Sequence, residues 1–252
     1  MKTVIITGAS SGIGLACAHR FAQGGWQLVL IARRSVRLTE LGQELKKELN
    51  TTSFLLTGDV RSPQTSSQLT DLLQKNNIIP DLLINNAGLA RGLDPIQDGK
   101  WDDWDEMIDT NLKGLLRITK AVLPLMVRAH KGHIINIGSV AGKEAYAKGN
   151  VYCATKYAVD GLTKAMRYDL YTYGIRVTQI APGAVETEFS NVRFHGDDER
   201  AAAVYKGFQP LTADDIADAV WYCANVPEHV SIHDLFIMPT VQAGASAIHR
   251  SE

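Results

Sequence analysis

Thr7-Gly8-Ala9-Ser10-Ser11-Gly12-Ile13-Gly14 decides how the rest of the chain is read. The apolar, β-branched run Thr3–Ile6 precedes it, and the amphipathic stretch Leu15–Phe21 follows. A strand, a glycine-rich turn and a helix in that order make a dinucleotide cradle. Gly8 permits the tight turn, Gly12 lets the backbone approach a diphosphate, and Gly14 allows close helix–strand packing. The first turn of the helix then offers free N–H groups and the positive end of its dipole to phosphate. A ligand-free flexible loop is the alternative, but the flanking strand and helix disfavour it.

Outward from that turn, short apolar runs alternate with helical periods. Strands are predicted at 3–7, 27–32, 53–57, 82–85, 133–137, 176–180 and 235–238. Helical periods fall at 39–49, 67–75, 103–127, 150–173 and 214–225. Alternation of this kind predicts an α/β fold: a doubly wound, parallel sheet of about seven strands, with helices on both faces. Binding then belongs at the carboxyl ends of the strands, where strand order reverses. No repeat or Pro/Gly/Ser-rich linker interrupts residues 1–252, so one domain is expected. The segment 183–207 is the least regular and is expected to be a mobile loop with a short helix, closing over the site. Val159, Leu162 and Leu170 read as an outward apolar surface of the long helix 150–173, suited either to a subunit contact or to packing on the sheet.

Composition narrows the function classes. The 252 residues are 45% hydrophobic and 21% charged, which suits a full core. A net charge of −1 argues against a nucleic-acid platform. Apolar runs such as Leu28–Ala32 are too short to cross a bilayer, so no membrane span is expected. No basic-then-apolar leader precedes the first strand, so no secretory signal is expected. Cys17, Cys153 and Cys223 are odd in number and far apart, which points to reduced thiols and a cytoplasmic setting. His229 and His233 form the one i,i+4 histidine pair, but no acid or cysteine completes a ligand set, and no metal is assigned.

Tyr152-Cys153-Ala154-Thr155-Lys156 supplies a second, independent signal. On a helix the phenol and the ammonium share a face. A neighbouring cation favours an ionised acid, so Lys156 is expected to pull the Tyr152 pKa down towards the range of a general base. Standing alone, the pair reads more readily as a solvated helix face. Cys153 points away from its neighbour and reads as packing.

Six ordered motifs now stand in one chain: the glycine turn, Asn85-Asn86-Ala87-Gly88, Asn111, Ser139, the Tyr152/Lys156 pair and Pro182-Gly183. Together they resemble the short-chain dehydrogenase/reductase family from Lys2 to about Met238. Asn85–Ala90, His133–Ser139, Thr187–Phe194, Asp214–Ala217 and Met238–Thr240 are similar to its NADP-dependent 3-hydroxy acid dehydrogenase branch, also described as serine 3-dehydrogenases or L-allo-threonine dehydrogenases. Arg91 departs from the small or apolar residue expected there. The resemblance implies a Rossmann-type fold, a nicotinamide cofactor, reversible alcohol–carbonyl chemistry and a homotetramer built through the long helices.

It also implies roles. Tyr152 would take the hydroxyl proton, Lys156 would steady the phenolate and hold the nicotinamide ribose, and Ser139 would hold the substrate oxygen. Asn111 would carry a water linking Lys156 to solvent. Ser10, Ser11 and Ile13 belong to the phosphate turn with Gly8, Gly12 and Gly14. Asp59 and Val60 would meet adenine, although Asp59 could equally cap the helix starting near Pro63. Asn85, Ala87 and Gly88 would line the adenosine ribose; Pro182, Gly183, Val185 and Thr187 would border the nicotinamide.

Cofactor choice turns on the end of the second strand. An acid there would bond the ribose hydroxyls of NAD, whereas Ala32 is followed by Arg33-Arg34. Planar guanidinium groups suit a 2′-phosphate, so NADP is expected, with Arg33 the better candidate; two solvated arginines are the alternative. A short 3-hydroxy acid of the serine, allo-threonine or 3-hydroxyisobutyrate type needs a cation for its carboxylate. Arg193 is the first candidate and Arg91 the second, against plain surface arginines. A reductase of bulkier ketones, aldehydes or acyl thioesters, and a non-catalytic NADP sensor, stay open as alternatives.

Overall fold

The computed structural model describes residues 1–251. Its elements run β1 (Thr3–Thr7), α1 (Gly12–Gln23), β2 (Gln27–Ala32), α2 (Ser35–Leu49), β3 (Ser53–Thr57), α3 (Pro63–Lys75) and β4 (Leu82–Asn85). Then follow α4 (Trp101–Ile108), a π-helical segment (Asp109–Gly114), α5 (Leu115–Ala129), β5 (Gly132–Ile137), α6 (Asn150–Leu170) and β6 (Ile175–Pro182). The chain closes with α7 (Phe189–Arg193), α8 (Asp198–Ala203), α9 (Ala213–Asn225) and β7 (Asp234–Ile237). All seven strands are parallel, in the order β3-β2-β1-β4-β5-β6-β7. Strand order therefore reverses between β1 and β4, and the crevice opens there.

The five inner strands, β2, β1, β4, β5 and β6, are buried almost throughout because both faces are covered, whereas the edge strands β3 and β7 are partly exposed. In β1 the period of two sends Val4 and Ile6 into one core, with Leu38 of α2 and Ile216 and Val220 of α9. Ile5 enters the other core, with Leu69 of α3, Ile118 of α5 and Val159 of α6. At the foot of the first core, Phe21 meets Trp26 and Trp221 edge-on, each with ring centroids 5.1 Å apart. A Cβ on Gly24 would fall 2.0 Å from Trp221, so the turn after α1 accepts only glycine without repacking.

Three expectations change. Residues 103–127 are not one helix but α4, a widened π turn and α5. Periodicity cannot register one extra residue in a turn, and such turns gather at functional sites. Val159 and Leu170 of α6 face inward and are buried, and Leu162 packs against the same cluster. The large side chains with apolar surface that α6 and its C-terminal turn present to solvent include tyrosines instead: Tyr168 is 81% and Tyr171 71% exposed. Finally, α3 is capped by Ser62, whose hydroxyl accepts the Gln64 N–H at 3.2 Å, with Pro63 at the first helical position. Asp59 does not cap it; its carboxylate accepts the Arg61 N–H at 2.9 Å and pairs with that guanidinium.

Candidate active site

The glycine turn forms one wall of the crevice. Gly8 (φ +69°) and Gly12 (φ +52°) hold left-handed backbone, where a side chain would be strained. A Cβ on Gly8 would also meet the Asn86 amide at 2.9 Å. Gly8, Ser10, Ser11, Gly12 and Ile13 line the crevice. Gly14 does not: its Cβ would fall 2.3 Å from the Gly8 carbonyl oxygen, so its part is packing α1 onto the turn.

The opposite wall comes from the end of β4. Ala87 and Gly88 line it, but Asn85 does not. Strand alternation turns the Asn85 side chain into the α5/α6 layer, where Nδ2 donates to Thr119 Oγ1 and Asn136 Oδ1, both at 2.9 Å. Asn86 takes the cofactor-side position instead, its Nδ2 donating to the Thr7 carbonyl at 2.9 Å and so pinning β4 to β1. The same alternation, applied to the sequence, would have found Asn86.

Ser139 follows β5 and caps the short turn after it by accepting the Ala141 N–H at 3.1 Å. Tyr152 and Lys156 both lie in the first two turns of α6, on its crevice face, with Lys156 Nζ 5.9 Å from the Tyr152 ring centre. The ammonium donates to the Ile137 carbonyl at 3.0 Å. Burial pushes the Tyr152 phenol up, and Tyr146 adds to this; the Ser139 hydroxyl and the Arg193 charge oppose it. Burial also brings Lys156 down to about 8. The expected lowering of Tyr152 by Lys156 is therefore absent: desolvation governs both groups, and the ammonium faces a carbonyl.

Asn111 sits in the π turn. Its Nδ2 donates to the Leu89 carbonyl (2.8 Å) and Thr155 Oγ1 (3.1 Å), and its Oδ1 accepts the Leu89 N–H (2.8 Å). These bonds clamp the chain after β4 to the start of α6, with Oδ1 accepting a single N–H.

At the end of the crevice beside β2, Arg33, Arg34, Asp59 and Val60 line it. Arg34 Nε donates to Ser10 Oγ at 3.2 Å, and its Nη1 pairs with Glu188 at 2.7 Å; Arg37 shares that carboxylate at 2.6 Å. Arg33 is 54% exposed and stands 3.8 Å from Glu106 and 4.0 Å from Asp59. Pro182, Gly183, Val185 and Thr187 line the other end, where Thr187 packs beside Gly12.

The segment 183–207 carries two short helices, α7 and α8, not one. Through α7 it brings Arg193 over the catalytic face: the guanidinium carbon lies 5.4 Å from the Tyr152 ring centre and 5.6 Å from that of Tyr146. Arg91 does not join it. Its Nε pairs with Glu106 and its Nη1 donates to the Val192 carbonyl, both at 2.6 Å, and Arg91 itself is not among the residues that line the crevice. Its charge is committed to docking α7, which removes it as a substrate ligand. Tyr146, Glu188, Tyr205 and Gln242 also line the crevice and had no role assigned from sequence: Glu188 lies within the stretch Thr187–Phe194 but carried no chemistry of its own, and the others stand outside any period or motif. Among the described residues, no group of three or more His, Cys, Asp or Glu is placed to hold a metal, and no helix is long and apolar enough to cross a membrane.

A doubly wound parallel sheet with a glycine cradle, and a serine, a tyrosine and a lysine facing it across the crevice, defines a dinucleotide-dependent oxidoreductase of Rossmann type. Residues 2–198 match the short chain dehydrogenase family. The chain belongs to that family. It is 45% identical to the NADP-dependent 3-hydroxy acid dehydrogenase YdfG of Escherichia coli K12, over 98% of this chain and 99% of the relative. It is also 45% identical to sulfoacetaldehyde reductase 2 of Chromohalobacter salexigens, over 98% of both chains. Among solved structures, the closed form of serine dehydrogenase complexed with NADP+ superposes with a TM-score of 0.91 at 44% identity, covering 98% of this chain and 99% of that one.

Proposed function

We propose that this chain is an NADP-dependent dehydrogenase that moves a hydride between nicotinamide and the hydroxyl carbon of a short 3-hydroxy acid. The names of its 3-hydroxy acid and serine dehydrogenase relatives support this reading. The observation that carries it is Arg193, a cation 5.4 Å from the Tyr152 ring, which suits a carboxylate close to the reacting carbon. The sulfoacetaldehyde reductase relative favours a second reading, in which a sulfonate takes the carboxylate's place on the same arginine.

The residues present fit the cofactor. Gly8 and Gly12 leave a cradle that side chains would fill or strain. Ser10, Ser11 and Ile13 complete the diphosphate contact with them. Arg33 and Arg34 receive the 2′-phosphate; Asp59 and Val60 border adenine; Ala87 and Gly88 border the ribose. Pro182, Gly183, Val185 and Thr187 hold the carboxamide end. When bound, the nicotinamide supplies the hydride acceptor.

The chain's own residues do the rest. Ser139 fixes the substrate hydroxyl beside Tyr152, which in its phenolate form receives the hydroxyl proton as the carbonyl forms. Burial disfavours that phenolate, and the positive charge of a bound nicotinamide would offset this. Lys156 holds the ribose, and its ammonium favours negative charge on the Tyr152 oxygen once the two meet. In reverse, Tyr152 protonates the carbonyl oxygen. Residues 1–252 act as one catalytic unit, with 183–207 closing on the substrate. The reading includes a cytoplasmic setting, supported by the buried free thiols Cys17, Cys153 and Cys223, and a homotetramer, supported by the family resemblance.

The test is a panel of initial rates with NADP and NAD. Serine, allo-threonine and 3-hydroxyisobutyrate should each exceed their uncharged amides in kcat/KM with NADP. Turnover favouring bulky neutral alcohols would support a general carbonyl reductase, and cofactor binding without turnover would support a sensor.

A further inference from the structure

Arg193 uses only half of its guanidinium on the protein. The Nε–H donates to the Gly92 carbonyl at 3.1 Å, and Nη2 donates to the Tyr146 hydroxyl at 2.7 Å. The other edge, Nη1 with the second hydrogen of Nη2, has no protein acceptor among the described residues and faces the crevice that Arg193 lines. A planar fork held on one edge presents the other in a fixed direction, which is what bidentate binding of a carboxylate needs.

Tyr146 is held just as firmly. Its ring lies over Gly149, where a Cβ would fall 2.4 Å from the ring edge, and packs beside Leu89, Ala90, Met107 and Cys153. Its oxygen accepts from Arg193, so its own proton must be donated elsewhere. No acceptor for it exists among the described residues, and the side chain lines the crevice. Burial pushes this phenol up, which keeps it a donor at neutral pH.

We propose that Tyr146 is the second half of a carboxylate clamp: its hydroxyl, oriented by Arg193, donates to the substrate carboxylate that occupies the free edge of Arg193. Tyr146 is thus a specificity-determining residue, and the proposal rests on the hydroxy-acid reading given above. The clamp selects anionic substrates because a neutral group leaves the fork and the phenol without an acceptor. Hydrogen-bonding sites discriminate most strongly when a mismatched ligand strands their buried donors.

The experiment compares 3-hydroxyisobutyrate with its uncharged amide in the full-length enzyme with NADP. Tyr146→Phe keeps the ring and removes the hydroxyl. It should lower the acid-to-amide ratio of kcat/KM about tenfold, the loss of one hydrogen bond to a charged group. A purely structural part for Tyr146 would lower both substrates together and leave the ratio where it was, which overturns the proposal. In an Arg193→Ala background, Tyr146→Phe should still lower the ratio severalfold, since the hydroxyl touches the carboxylate itself. No further fall there would mean that Tyr146 acts only through Arg193, and the clamp is lost. If Arg193→Ala leaves the ratio unchanged, the hydroxy-acid reading fails and the clamp fails with it. If Arg193→Ala lowers it and Tyr146→Phe does not, only the clamp fails.

Discussion

Arg193 and Tyr152 belong to separate elements, yet the guanidinium carbon of one stands 5.4 Å from the ring centre of the other. The contact spans from α7 to α6, and α7 is pinned in place by Arg91 at the Val192 carbonyl and by the Gly92 N–H on the Arg193 carbonyl at 2.9 Å. These contacts set a cation over the proposed base. Arg193→Lys keeps the charge but loses the planar fork, and kcat/KM for 3-hydroxy acids should fall about tenfold, measured by initial rates. Full activity would show that a point charge suffices.

The adenosine end makes a separate prediction. Arg33→Asp should reduce the preference for NADP over NAD by about ten- to a hundredfold, through loss of a charge-assisted phosphate contact and new repulsion. Ratios of kcat/KM for the two cofactors check this. An unchanged ratio would move the 2′-phosphate wholly onto Arg34, which already faces Ser10 and Glu188.

Lys156 gives a stability prediction whose sign is fixed by linkage. Its folded pKa, about 8, lies below the ordinary lysine value of 10.5. Between those values the unfolded chain binds the extra proton, so this group's contribution to stability rises with pH across that window and is least favourable below about pH 8. Lys156→Met should abolish turnover yet raise stability at neutral pH by about 1–3 kcal/mol, after allowing for the lost bond to Ile137. The gain should shrink as pH approaches the unfolded lysine value. Urea unfolding at several pH values reads it, and a gain independent of pH would contradict the account.

His133 behaves in the opposite pH range. Thr178 donates its hydroxyl to the Ile232 carbonyl, so the 2.8 Å contact between His133 Nε2 and Thr178 Oγ1 requires the proton on Nε2. Nδ1 is buried without a partner, and burial takes the ring down to about 3. The folded state therefore resists protonation that the unfolded chain accepts below about pH 6.5, and stability is lost as pH falls towards 3. His133→Leu should lose about 2 kcal/mol less than the native chain between pH 7 and pH 5. Parallel pH profiles for the two proteins would rule this out.

Much of the fold was legible because the inner parallel strands, covered on both faces, must be short apolar runs, and the edge strands β3 and β7 keep enough apolar residues to stand out as well. The glycine turn was legible for a different reason: left-handed backbone at Gly8 and Gly12 leaves a residue-type signature. Directions were harder to read. Asn85 and Asn86 are adjacent and chemically identical, and strand parity, which the sequence does carry, separates the buried one from the crevice one. Arg193 ranked ahead of Arg91 as a sequence candidate, but the sequence does not show that Glu106 stands beside Arg91 and Tyr146 beside Arg193. The pair Tyr152/Lys156 was placed correctly on one face, while its electrostatics depended on burial that spacing cannot report.

The central claim is that this crevice transfers hydride from the hydroxyl carbon of a short hydroxy acid. It is tested most directly with 3-hydroxyisobutyrate deuterated at that carbon, incubated with NADP and the enzyme, and followed by mass spectrometry of the reduced cofactor. The account predicts one deuterium on the nicotinamide per turnover, and none with Tyr152→Phe. Reduced cofactor without the label, or equal labelling by the Tyr152→Phe variant, would contradict it.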